Sequence, residues 1–197
     1  LKNIENADTK QRILDAAIIM FVKECRLQST TRELAAKAKV NLASLNYYFH
    51  TKSKLIEEIE GIISQQIESI CQILSDTSVS PFKRLFDWGY QMMTYLLENP
   101  GIVYLWAEKR IHTRASNENA LRLIQDNENN LINSLASLST EQDTEKLKYK
   151  AVQFFSCIIN PVIMELGVKD NIAISIQDEW VRREYIETIV SQLSTKA

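Results

Sequence analysis

The chain has 197 residues, 45% of them apolar and 24% charged, with a formal net charge of −2; that balance excludes a disordered chain and leaves room for a real core. Four Gly and three Pro are too few for a many-turned β-sandwich or barrel, so an all-α fold is expected. Residues 1–54 hold ten Lys/Arg against five Asp/Glu, whereas residues 55–197 hold thirteen against twenty, so a segment of net +5, suited to a polyanion, precedes a body of net −7.

About nine helices are predicted. The first runs from about Thr9 to Cys25, with Ile13, Ala17, Met20 and Phe21 on one face and Asp8 as its cap. The second is short, about Thr31 to Ala38, and opens on the Thr30…Glu33 capping box. The third, about Leu42 to Tyr48, has Asn41 as N-cap. A fourth begins after Thr51 and carries Leu55, Ile59, Ile62, Ile63, Ile67, Ile70 and Leu74. Residues 76–80 read as a loop ending in Ser80-Pro81, a cap followed by Pro at the first helical position. The helix from Pro81 to about Glu98 is apolar on nearly every side and is expected to be central. Asn99-Pro100-Gly101 stops it. Further helices are expected over 102–111, 116–138, 141–167 with a kink at Pro161, and 178–193.

The second and third helices are joined by a tight turn, Ala38-Lys39-Val40-Asn41, which is the outline of a helix-turn-helix. Ala43 and Ser44 are small enough to let the third helix approach base edges in a major groove. Tyr48 and Lys52 follow, and the N-terminus of the fourth helix can receive a phosphate. Without further information, two ordinary core helices of a bundle would also account for this stretch.

The run from Ser29 to Leu55, STTRELAAKAKVNLASLNYYFHTKSKL, resembles the DNA-binding signature of TetR-family transcriptional regulators. With the first helix, the resemblance covers about residues 9–56. It implies an N-terminal three-helix helix-turn-helix domain, residues 1–54, and a helical ligand-binding and dimerisation domain, residues 55–197. It implies phosphate contacts from Thr30 and Thr31 and a base contact from Arg32. Leu42, Ala43, Ser44 and Asn46 would face the major groove, Tyr47 and Tyr48 would brace or touch the backbone, and Lys52 would meet phosphate. Leu34, Ala35, Val40, Leu45 and Phe49 would form the motif's core. The family usually has Gly where this chain has Lys39, and a non-Gly residue in a left-handed turn costs roughly 1 kcal/mol. It often has Tyr where this chain has Asn46; an Asn can pair bidentately with adenine.

Seven of the sixteen aromatics, with Met92 and Met93, lie between residues 82 and 106. Aromatic and thioether side chains with a few polar tips suit an apolar ligand pocket. Trp88, Tyr90, Met93, Tyr95, Tyr104 and Trp106 are the candidates for binding a largely apolar small-molecule effector, and core packing is the competing role for each. The last two long helices resemble the family's dimer-forming pair, with Phe155, Ile159, Ile163, Trp180 and Ile189 as interface candidates. One short recognition helix makes too few contacts, so a homodimer reading a palindromic operator is expected.

Cys25, Cys71 and Cys157 show neither metal-ligand spacing nor a disulfide framework, and no metal or cofactor is expected. No nucleophile–base motif or phosphate-binding Gly-rich loop occurs, so no enzymatic activity is expected. No run approaches the ~18 apolar residues of a membrane span, and Leu1 to Asn6 lack a signal-peptide core, which points to a cytoplasmic location. The reading that follows is a ligand-responsive transcriptional regulator, most simply a repressor. Its rival is an all-helical ligand-binding or interaction protein that does not bind DNA specifically.

Overall fold

A computed structural model describes residues 2–105, 118–167 and 175–194. Among these residues there is no strand. The helices are α1 (Lys2–Ala17), α2 (Thr31–Lys37), α3 (Leu42–Phe49), α4 (Lys52–Cys71), α5 (Pro81–Glu98), α6 (Glu118–Leu138), α7 (Thr144–Gly167) and α8 (Glu179–Ser194). Residues 101–105 are also helical. A π-helical turn, Ile18–Lys23, extends α1, and a 3-10 turn, Gln72–Ser75, ends α4.

The all-helical expectation holds, with differences at several ends. α1 begins at Lys2, so Asp8 lies inside the helix rather than capping it. There it makes an i,i+4 ion pair with Arg12, which a helix interior favours. α7 starts at Thr144 rather than Glu141, because Asp143 Oδ1 accepts from Glu145 N at 2.9 Å and is the better cap. Pro161 lies within α7, which continues to Gly167. Ser80-Pro81 opens α5 as predicted, with Lys83 N donating to Ser80 Oγ at 3.3 Å.

The chain divides into two compact units, residues 1–65 with 99–116, and residues 66–98 with 117–197. In the first, Ile13, Ala17, Met20 and Phe21 from α1 and the π turn form one core with Leu34, Leu45, Phe49, Leu55 and Ile59, all buried. This is the burial that three short helices need, since none of them is stable alone. Gly101 lies against the π turn: a Cβ there would stand 1.9 Å from Phe21 O. Its sequence role as a helix stop is therefore incomplete. Among the described residues no glycine has positive φ, and Gly101 is required by close backbone approach.

In the second unit α5 packs against α6, α7 and α8, the central position its all-round apolar surface predicts. Gly89 admits α7 and α8 at this crossing: a Cβ would meet Ile158, Phe154 and Ile186 at 3.2–3.3 Å. Trp88 packs on Phe154 and Phe155, with ring centroids 5.5 and 6.5 Å apart. Among the described residues no helix is long and apolar enough to cross a membrane.

Candidate nucleic-acid interface

The local chemistry of residues 29–52 fixes the motif. Thr30 is the N-cap of α2: its Oγ1 accepts from Glu33 N at 3.2 Å, and Glu33 Oε2 accepts from Thr30 N at 2.7 Å. Both halves of the capping box are present. These bonds hold the Glu33 carboxyl below its ordinary pKa, the Thr30 backbone N–H being the largest cause. Asn41 caps α3, its Oδ1 accepting from Ser44 N at 2.7 Å.

Between the two helices Lys39 has φ 56°, the left-handed conformation in which a side chain is strained. Two carbonyls around that turn are held from α1. Arg12 donates from Nη2 to Ala38 O at 3.1 Å and to Lys39 O at 2.5 Å. The guanidinium satisfies carbonyls at the end of α2 that the helix itself leaves without donors. Sequence reasoning missed this role, since Arg12 reads as one more surface charge on an amphipathic helix.

On α3, Leu45 and Phe49 are buried and hold the helix to the core. The outward face carries Ala43, Asn46 and Tyr47, all exposed, and Tyr47 is 71% exposed. Their spacing puts them on one stripe. Leu42, Ser44 and Tyr48 are half-buried beside it. The Tyr47 and Tyr48 rings meet edge to face at 5.1 Å. At the start of α2, Thr30 and Arg32 are exposed and Thr31 is half-buried. The expected core residues Leu34, Ala35, Leu45 and Phe49 are buried, and Val40 is half-buried.

Lys52 is placed differently from its sequence reading. Its ammonium donates to Leu27 O and, at 3.0 Å, to Ser29 O, and it lies over the Phe21 ring. It ties the start of α4 to the loop before α2. Other cations of the basic segment are also engaged: Lys10 with Glu58, Arg26 with Glu24 and Glu33, Lys37 with Glu24, and Lys54 with Glu57. Among the described residues, the side chains of Lys23, Arg32 and Lys39 are exposed and have no protein partner.

The remaining candidates fall in three places. Trp88, Tyr90, Met93 and Tyr95 lie on α5 in the second unit. Trp88 and Met93 are buried, and Tyr90 and Tyr95 are half-buried. Burial pushes the Tyr95 phenol up to about 12. Tyr104 is 48% exposed and belongs to the first unit. Trp106 lies outside the described residues. Of the interface candidates, Ile163 and Trp180 are exposed, Phe155 and Ile159 half-buried, and Ile189 is buried within its own unit.

A capped helix-turn-helix seated on a third helix, in a chain with a second all-helical unit, is an architecture that helix-turn-helix DNA-binding proteins use. Residues 13–59 match the family described as bacterial regulatory proteins, tetR family. Over residues 13–59, then, the chain is similar to the DNA-binding segment of that family. The uncharacterized HTH-type transcriptional regulator YvkB of Bacillus subtilis (strain 168) is 33% identical over 95 residues, 48% of this chain and 49% of YvkB. The chain thus spans about half the length of the curated relatives it matches. Over nearly the whole chain the fold is that of SCO4454, a TetR-family transcriptional regulator from Streptomyces coelicolor, with a TM-score of 0.71 at 15% identity, covering 96% of this chain and 97% of that one. It is also similar in fold to the TetR-like regulator LfrR from Mycobacterium smegmatis, solved in complex with proflavine, with a TM-score of 0.64 at 14% identity, covering 97% and 98%.

Proposed function

We propose that this chain is a cytoplasmic, homodimeric transcriptional repressor that binds a palindromic operator and is released from it by a small effector. Residues 1–54 would bind DNA, and residues 55–197 would bind effector and dimerise. The protein works by binding and not by catalysis. The observation that carries the reading is the outward stripe of α3, Ala43, Asn46 and Tyr47, presented on a helix whose other side is locked into a core.

Ala43 leaves room for close approach to base edges, and Asn46 supplies a donor and an acceptor for adenine. Ser44 and Leu42 flank that stripe, Leu42 toward a thymine methyl. Thr30, Thr31 and Arg32 at the start of α2, with Tyr47 and Tyr48, are assigned to phosphate and register. Lys39 joins this proposed set, supported by its exposed side chain at the turn between the two helices. Lys52 is a weaker phosphate candidate, because its ammonium already serves two carbonyls.

Dimerisation is assigned to α7 and α8. Tyr149, Val152, Ile163 and Met164 of α7 and Trp180 of α8 are large apolar side chains left 42–69% exposed, an arrangement that favours burial against a second copy. Phe155 and Ile159 lie beside them. Trp88, Tyr90, Met93 and Tyr95 are the proposed effector residues. Effector would act by favouring a spacing of the two recognition helices that mismatches the operator. The test is selection of bound sites from a random double-stranded DNA pool at moderate salt. An enriched palindrome is expected. A folded protein, stripped of any bound small molecule, that enriches no site would transfer the reading to a helical ligand-binding protein without specific DNA binding.

A further inference from the structure

The buried face of α5 carries two donor groups that the fold satisfies poorly. Arg84 is 8% exposed, and its Nε has no hydrogen-bond partner. Its Nη1 reaches Leu74 O at 3.5 Å, the limit of a hydrogen bond, and that carbonyl already accepts from Ser134 Oγ at 3.2 Å. Four residues on, Trp88 is 3% exposed, and its Nε1 meets only the Cys71 thiol, a weak acceptor, with no oxygen partner. Residues at i and i+4 are neighbours on one helix face.

No anion within the described residues neutralises the guanidinium by direct contact. Asp76, the carboxylate whose pKa Arg84 influences, is exposed and accepts from Ser78 N at 2.9 Å and Ser78 Oγ at 2.6 Å. Burial pushes the Cys71 thiol up in pKa, against the lowering effect of its hydrogen bond from Trp88. A buried cation with no counter-charge among the described residues is costly, and an apolar side chain of similar volume would serve stability better. Groups that oppose stability in this way are commonly kept for a ligand.

The ligand's chemistry follows from the donors. A guanidinium offers a planar fork that matches a carboxylate, and an indole N–H adds a further donor. The next position in the same row is Met92, buried, and Trp88 packs on Phe154 and Phe155. Beyond the polar pair the surroundings are therefore apolar. We propose that Arg84 and Trp88 form the head-group site for a carboxylate effector with an apolar body. This deepens the effector reading above and rests on it.

The test measures binding directly, by calorimetry without DNA, using matched pairs: hexanoate and hexanamide, decanoate and decanamide, benzoate and benzamide, phenylacetate and phenylacetamide. At least one acid is expected to bind about tenfold or more tighter than its amide, the range of a charge-assisted pair. Arg84→Met should abolish that preference, and Trp88→Phe should reduce it while keeping the ring. Ligand-free Arg84→Met should melt at or above the temperature of the parent protein. The proposal is overturned if no acid is preferred, if the preference survives Arg84→Met, or if that ligand-free variant melts lower, since the guanidinium would then be structural. An acid that binds through Arg84 but leaves operator affinity unchanged upholds the head-group site and refutes the effector-release reading.

Discussion

Substituting Lys39 separates backbone strain from charge. With φ at 56°, a lysine there bears a left-handed cost of about 1–2 kcal/mol, which glycine does not. Glycine returns part of this gain through the larger entropy of its unfolded chain, so Lys39→Gly should stabilise the protein by about 1 kcal/mol. The Arg12 bonds to Ala38 O and Lys39 O involve backbone atoms and survive the change. For a chain of this length that gain raises the melting temperature by about 2–4 °C. Lys39→Gln keeps the strain and removes only the ammonium, so its melting temperature should stay near the parent's. Both variants should lose about 2 from the slope of log affinity against log salt for a bound dimer, about 1 for each protomer, if each ammonium neutralises one phosphate. Thermal unfolding and salt-dependent operator binding read the two effects independently. Equal stability of the Gly and Gln variants would refute the strain argument. An unchanged salt slope in Lys39→Gln would refute the phosphate contact.

Thr30→Ala removes one side of the capping box and should cost about 1 kcal/mol in urea unfolding, with Thr30→Ser restoring most of it. Asn46→Ala should relax selection at one base pair by about 1–3 kcal/mol and leave the salt slope unchanged, as read by site selection at two salt concentrations. Lys52→Met removes a donor from Leu27 O and Ser29 O and should cost about 1–3 kcal/mol of stability; a fully stable variant that lost only salt slope would return Lys52 to the phosphate. Tyr95 has its pKa raised from 10.0 to about 12. Between those values the unfolded chain loses the phenol proton while the folded chain keeps it, so this group's contribution to stability falls as pH rises. Tyr95→Phe should show a shallower decline across that window in denaturation midpoints.

The helix-turn-helix was legible because its signals are local. Thr30 with Glu33, Asn41 before α3, and the inward row Leu34, Leu45 and Phe49 each act within a few residues of where they stand. Resemblance to a family then assigned roles that spacing alone could not. What escaped reading depends on contacts across the chain. Nothing in the sequence says that Arg12 will reach carbonyls 26 and 27 residues away, or that Lys52 will turn inward. Asn-Pro-Gly has the same composition whether the glycine ends a helix or admits Phe21 O. Tyr104 fell into one window with Trp88 and Tyr95, yet the chain changes units at residue 99. Ile189 was a fair interface candidate because α8 is apolar on more than one side, and only packing shows which side its own unit takes. The start of α1 was missed because residues 2–8 have no apolar period to announce a helix.

The basic segment also predicts less salt dependence than its composition implies. Ten cations stand in residues 1–54, but Arg12 and Lys52 serve carbonyls, and Lys10, Arg26, Lys37 and Lys54 face carboxylates. Among the described side chains, Lys23, Arg32 and Lys39 are free for phosphate. A dimer then brings roughly six, and at roughly −0.9 per phosphate the log–log slope for operator binding should be about −5. Counting every cation would give a slope steeper than about −15. Titrations at several salt concentrations distinguish these cases. A slope near the lower figure means that the internal pairs persist on DNA and that net charge overstates the interface. A slope steeper than about −10 means that the paired lysines leave their carboxylates for phosphate, and that the engaged state described here is specific to the free protein.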